Sequence, residues 1–126
     1  MIAEAILCLA LNVYHEARGE DHLGQLAVAQ VTMNRVRSER YPDNVCDVFY
    51  QRSQFSWTHL IEDKRPHDRE AWERAQLVAH EAYYGYVEVP GITEDTLHYH
   101  ASWVNPRWSR GHTPVAVIGV HEFYNL

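Results

Sequence analysis

The stretch of this chain best placed to do chemistry is Tyr14-His15-Glu16-Ala17-Arg18-Gly19-Glu20. It closes a segment that is apolar at Ile2, Ile6, Leu9 and Val13, at roughly helical spacing, and Gly19 marks where such a helix should stop. Glu16 is therefore expected near the C-terminal end of a largely buried helix. The negative end of a helix dipole and partial desolvation both favour the protonated form of a carboxyl group. A carboxylic acid held in that way can protonate a leaving group near neutral pH. The competing reading is an exposed glutamate at a helix end. Glu20, four residues on, invites a two-carboxylate scheme and is kept as a candidate substrate contact. Gly19 interrupts the helix face between them, however, which assigns Glu20 to the turn or to the first turn of the next helix, where negative charge is favourable. Arg18 reads as structural, pairing a carboxylate or capping carbonyls.

Aromatic residues gather in or beside expected loops: Trp57, Tyr99, Trp103 and Trp108. Exposed aromatic faces pack on the apolar faces of sugar rings, and their edges can donate hydrogen bonds. Asn34, Gln54, Ser56 and His100 could supply polar contacts, and Phe55 suits either core or cleft wall. Asn34 has a competing reading as a buried hydrogen-bonding helix residue. Ser56 lacks the Gly-x-Ser-x-Gly context of a covalent nucleophile. Tyr99 and His100 alternate faces if they lie on a strand, with Tyr99 favoured to face the cleft. With Glu16 as the acid, these residues converge on carbohydrate chemistry, and the candidate substrate contacts are Glu20, Asn34, Gln54, Phe55, Ser56, Tyr99, His100, Trp103 and Trp108.

Nine histidines raise a metal alternative. His98 and His100 would share one strand face, and His112 or His121 could add a third ligand, as in a zinc amidase or peptidase. Each of His15-Glu16, His80-Glu81 and His121-Glu122 lacks the second histidine of His-Glu-x-x-His, so no metal site and no cofactor is expected. A noncatalytic glycan-binding module would keep the aromatics but has no need of an intact Glu16.

The elements that must position these residues follow from periodicity. A second helix is expected over 21–37, capped by Asp21 and apolar on more than one side, hence central and buried. Tyr41-Pro42-Asp43-Asn44 reads as a turn. Val45 to Tyr50 fits either a helical turn or a strand. Residues 51–67 read as a long loop, which in a small domain is often functional. A third helix is expected over 68–86, with Asp68 as cap, Ala71, Ala75, Val78 and Ala82 on one stripe, and Gly85 at its end. Residues 96–101 and 115–124 look like a small antiparallel sheet broken at Gly119, joined by a Trp- and Arg-bearing loop. The expectation is three helices followed by a small β part, an α+β fold in one domain over 1–126.

Size and charge bound the function. The chain has 126 residues, 46% hydrophobic and 12% aromatic, enough for one core and too apolar for disorder. Its net charge is -6 and Lys64 is its single lysine, which argues against nucleic-acid binding and against an anionic membrane partner. No apolar run is long enough to span a bilayer, so no membrane insertion is expected. The first 14 residues superficially resemble a signal peptide. They lack a basic start, carry Glu4 and run into the Glu16 motif, so they read as helix. Two cysteines, Cys8 and Cys46, could form one disulfide in an oxidising compartment or remain buried thiols.

The combined motifs resemble a known family. Glu16-Ala17-Arg18-Gly19-Glu20, Gly24-Gln25, Ala27-Val28-Ala29, Asn34-Arg35-Val36 and Pro42 form one run of signature residues. Val45, Val48, Tyr50-Gln51 and Gln54-Phe55-Ser56 continue it, and Tyr99-His100, Arg107-Trp108 and Ile118-Gly119-x-His121-x-Phe123 complete it. This pattern is similar to the cell wall hydrolase family that includes the spore cortex-lytic enzymes, over about Ile6 to Tyr124. The resemblance implies a lysozyme-like α+β fold, mainly helical, with a small antiparallel sheet in the C-terminal third. It implies a peptidoglycan glycosidase cutting between N-acetylmuramic acid and N-acetylglucosamine, as a lytic transglycosylase with Glu16 as its acid. A lysozyme using water is the main rival. Two departures stand out: no peptidoglycan-binding repeat is present, and Tyr99-His100 replaces the Phe-Asn common in spore enzymes. The partner implied is the glycan strand of peptidoglycan, met by a monomer in the periplasm or outside the cell. Release by a phage lysis system, or truncation from a longer protein, would account for the lack of a signal peptide.

Overall fold

The computed structural model describes residues 2–53 and 66–126. Four helices come first: α1 (Ile2–Ala17), α2 (His22–Arg37), α3 (Val45–Ser53) and α4 (Arg69–Tyr84). A three-stranded sheet follows, with β1 (His98–Ala101), β2 (Ala116–Ile118) and β3 (His121–Tyr124). The α+β class and the C-terminal place of the sheet are as expected. The number of helices is not, because the segment left open between turn and strand forms α3. Asn44 decides it: its side chain accepts from the Asp47 backbone N–H at 2.9 Å, an N-cap bond, and Val45, Val48 and Phe49 then fall on one buried face.

α2 is the central helix. Gly24 to Ala29 and Val31 to Arg35 are buried, so it has almost no solvent face. Asp21 caps it by accepting from the Gly24 N–H at 2.9 Å. α1, α3 and α4 pack around it, with α1 lying along α4. Small residues on α4 (Ala71, Ala75, Ala79 and Ala82) are buried there and permit close approach. A buried hydrogen bond from Thr32 Oγ1 to Asn12 Oδ1, 2.8 Å long, ties α2 to α1 and fixes their register. α4 begins at its Asp68 cap and ends at Gly85, whose φ of 70° places it in the left-handed region. The Gly85 and Tyr86 N–H groups then close the last turn on the Ala82 and Glu81 carbonyls.

α1 ends differently from the glycine-capped end expected. Gly19 does not adopt a positive φ. The Glu20 N–H bonds the Ala17 carbonyl at 2.9 Å instead, and the Gln25 amide, from inside α2, donates to the Ala17 and Glu20 carbonyls at 3.2 and 3.4 Å. Gln25 is buried, so this bond replaces water that the helix end cannot reach. Gly24 matters for the same turn: a Cβ there would stand 3.1 Å from Glu20 Cβ.

Cys8 and Cys46 form a disulfide that staples α1 to α3 across 38 residues. The sheet has the order β1-β3-β2, all antiparallel, with Tyr99 opposite Phe123 and Ile118 opposite His121. Gly119, at φ 59°, makes the turn between β2 and β3. Tyr99 and Phe123 turn one sheet face into the helical core. The other face carries His98, His100 and Tyr124, and Trp108 lies across all three with ring centroids 5.3–5.6 Å away.

Candidate active-site groove

Glu16 is the penultimate residue of α1 and is half-buried. It lines a groove of about 620 Å³ with Arg35 from α2, His98, Tyr99 and His100 from β1, Trp103 and Trp108 from the loop after it, and His121 from β3. That volume is typical of a small-molecule site, roughly 300–1,000 Å³. The groove is thus helix on one side and sheet with its aromatic loop on the other. Among the described residues Glu16 is the only carboxylate in this lining.

The sheet side is held by hydrogen bonds and ring packing. His100 Nδ1 lies 2.8 Å from the Ala101 carbonyl, which can only accept, so this nitrogen carries a proton. Its Nε2 lies 2.9 Å from the Tyr124 hydroxyl, which also donates to Glu122 Oε1, and the two rings stack at 5.3 Å. Burial raises the Tyr124 phenol above its ordinary value, helped by the negative charge of Glu122, whose carboxylate is 3.3 Å from the hydroxyl. The phenol therefore stays a donor. Tyr99 is buried and edge-on to His121 at 5.3 Å. Trp103 is 75% exposed, and Trp108 keeps 39% of its surface while covering the strand. These two indoles give the groove an apolar, solvent-open wall of the kind that stacks on sugar rings.

The sequence-predicted residues separate into groups. Glu16, Tyr99, His100, Trp103 and Trp108 come together in the groove, and Tyr99 and His100 both line it although they alternate along β1. Gln54, Phe55 and Ser56 lie outside the described residues, as does Trp57. Asn34 turns elsewhere. It is buried, and its amide donates to the Thr93 and Thr96 carbonyls at 2.7 and 2.9 Å while its oxygen accepts from Gln30. It thereby holds the chain that leads into β1, and it borders a different cleft of about 580 Å³. Glu20 is not in the groove lining either. Its Oε1 accepts from the Val120 N–H at 2.8 Å and stands 3.5 Å from His121 Nδ1. The Arg18 guanidinium sits 4.9 Å over the Tyr14 ring, a contact with an aromatic face where a carboxylate or carbonyl partner was expected.

His98 and His100 do share a face, but both ring nitrogens of His100 are committed to Ala101 and Tyr124. No three His, Cys, Asp or Glu side chains among the described residues converge as a metal site. Three residues that shape the site are not among its sequence-predicted members. Tyr14 accepts from the His67 and Asp68 N–H groups at 3.0 and 2.9 Å, fixing where α4 starts beside α1. Arg35 is buried in the groove, its Nε donating to the Leu97 carbonyl at 2.7 Å and its guanidinium 5.0 Å over Tyr41. His121 reads from sequence as a possible zinc ligand and as part of the signature run, not as a groove residue. The signal for Arg35 was present: a charged residue inside a helix expected to be central and buried must be paired or border a cavity.

Comparison with known proteins gives the family. Residues 19–124 match the family model described as Cell Wall Hydrolase. The spore cortex-lytic enzyme of Bacillus subtilis (strain 168) is 29% identical over 119 residues, covering 94% of this chain and 36% of that protein. The spore cortex-lytic enzyme of Halalkalibacterium halodurans is 47% identical over 51 residues, 40% of this chain and 16% of that protein. The chain therefore spans about a third or less of the curated relatives it matches. The crystal structure of the catalytic domain of the Bacillus cereus SleB protein superposes with a TM-score of 0.75 at 29% identity, covering 94% of this chain and 88% of that one. With a family match over most of its length and a shared fold, this chain belongs to the cell wall hydrolase family.

Proposed function

We propose that this chain cleaves the glycan strand of peptidoglycan between N-acetylmuramic acid and N-acetylglucosamine, as a lytic transglycosylase with Glu16 as its single acid and base. The observation that carries this reading is one carboxyl group at the end of α1, alone among the described residues of a groove walled by exposed indoles. Glu16 protonates the glycosidic oxygen as the bond to muramic C1 breaks. The resulting carboxylate takes the proton of the muramic C6 hydroxyl, whose oxygen closes onto C1. Glu16 ends protonated as it began, and the product carries a 1,6-anhydro ring. The substrate's own N-acetyl group can stabilise the cationic centre, so this route needs no second protein carboxylate.

A lysozyme would need a group to activate water. Glu20, the carboxylate nearest in sequence, is instead bound to the Val120 N–H, which favours the transglycosylase over the hydrolase. No cofactor takes part. The domain acts on the wall as a monomer, in the periplasm or outside the cell, where the Cys8–Cys46 disulfide would persist. Mass spectrometry of muropeptides released from purified peptidoglycan tests the reaction. Ends carrying 1,6-anhydromuramic acid are expected, one water lighter than hydrolysed ends. Reducing muramic ends would make the chain a lysozyme, and peptide stems released from intact glycan would make it an amidase or peptidase.

A further inference from the structure

Glu20 is anchored at three levels. Its backbone N–H and carbonyl are held by Ala17 and Gln25 in the turn that follows Glu16. Its Cβ rests against Gly24. Its carboxylate reaches 100 residues along the chain, accepting from the Val120 N–H at 2.8 Å, with the same oxygen 3.5 Å from His121 Nδ1. The turn it enters is shaped for it. Gly119 has φ 59°, a conformation that side-chain-bearing residues rarely adopt, and a Cβ at that position would run into the Glu20 carboxylate, which lies against the bare glycine. The two side chains are 13% and 6% exposed, low enough for the carboxylate to act on the imidazole with little screening by water. His121 in turn packs edge-on against Tyr99, and both line the groove that holds Glu16.

We propose that Glu20 is a positioning residue for this groove, acting through His121. A carboxylate beside Nδ1 stabilises the tautomer with its proton on that nitrogen and resists rotation of the ring. That fixes the face His121 presents to the groove, and through the Tyr99 contact it sets the wall opposite Glu16. The same carboxylate clamps the β2–β3 turn to the α1–α2 turn, so the acid and the opposing wall are held by one residue. Glu20 then makes no contact with substrate, which revises its assignment as a substrate contact. The proposal rests on the reading of the Glu16 groove as the active site.

Glu20→Gln separates the hydrogen bond from the charge contact. The amide oxygen can still accept from Val120, but the negative charge facing His121 is gone. With purified peptidoglycan as substrate, Glu20→Gln is expected to lose about 10- to 100-fold in kcat with KM within about twofold, the scale of a small misplacement in an active site. Its thermal unfolding should stay close to that of the wild type, whereas Glu20→Ala, which loses both contacts, should also be less stable. In a His121→Ala background the Glu20→Gln change should cost less than about a further twofold, because its effect passes through the imidazole. Wild-type kcat in Glu20→Gln, or full losses that multiply in the double variant, would overturn the proposal. Glu16→Gln, assayed alongside, distinguishes the cases. If it is inactive while Glu20→Gln is unimpaired, only the positioning role fails; if it is active, the groove reading fails and the proposal with it.

Discussion

A residue's value to this groove depends on what it has left to offer once its own fold contacts are made. Asn34 and Glu20 are polar and close in sequence to the key motifs, yet their hydrogen-bonding groups are spent on the chain that enters β1 and on the Val120 turn. Trp103 is the opposite case: 75% exposed, it packs little against its own fold and is available to a sugar ring. Trp108 lies between these extremes, because it also covers His98, His100 and Tyr124. Alanine at each position should separate binding from stability. Trp103→Ala is expected to raise KM for peptidoglycan about threefold to tenfold, the loss of one aromatic contact, with an unchanged melting temperature. Trp108→Ala should raise KM and also cost about 2 kcal/mol of stability, below the range for a fully buried indole. Initial rates against substrate concentration, with thermal melts of both variants, check this; an unchanged KM in Trp103→Ala would remove it from the binding surface.

At the scale of elements, local signals were legible and long-range ones were not. Asp21, Asp68 and Gly85 mark helix ends because capping is a matter of neighbours in the chain, and each caps where expected. Val45 to Tyr50 is ambiguous in sequence because its few apolar residues suit either period; the Asn44 cap resolves it, and the helix runs on to Ser53, three residues into the stretch read as loop. The strand order β1-β3-β2 and the Glu20–Val120 bond join distant segments and have no local signature. In the groove, Glu16 and the indoles could be chosen by residue type, while Arg35 and His121 acquire their place only when α2 and β3 are packed beside α1. The disulfide was an open alternative that tertiary packing closes. It pins α1, the helix that carries Glu16, to α3 through a loop of 38 residues. Closing such a loop constrains the unfolded chain by about 4 kcal/mol, or roughly 15 °C in melting temperature for a domain of this size. Thermal unfolding with and without reductant, compared with Cys46→Ser, should show that drop; a melting temperature indifferent to reductant would mean the staple contributes nothing.

For the whole molecule, the arrangement is two halves facing a groove. The helical half buries α2 and brings the end of α1 to the rim; the sheet half, cemented to it through Tyr99 and Phe123, brings the aromatic loop. No helix of the described chain is long and apolar enough to cross a membrane, and the net charge of -6 gives it no pull toward nucleic acid. What such an assembly offers a ring-rich glycan is an apolar wall and one proton donor. The central claim is that this donor is Glu16. The most direct measurement is the initial rate at which Glu16→Gln solubilises purified peptidoglycan, beside the wild type and with circular dichroism to confirm that both are folded. The amide keeps the shape of the side chain and cannot give a proton, so the rate should fall about 10²- to 10⁴-fold with the fold intact. A folded Glu16→Gln that works within tenfold of the wild type would contradict the account and move the acid elsewhere in the chain.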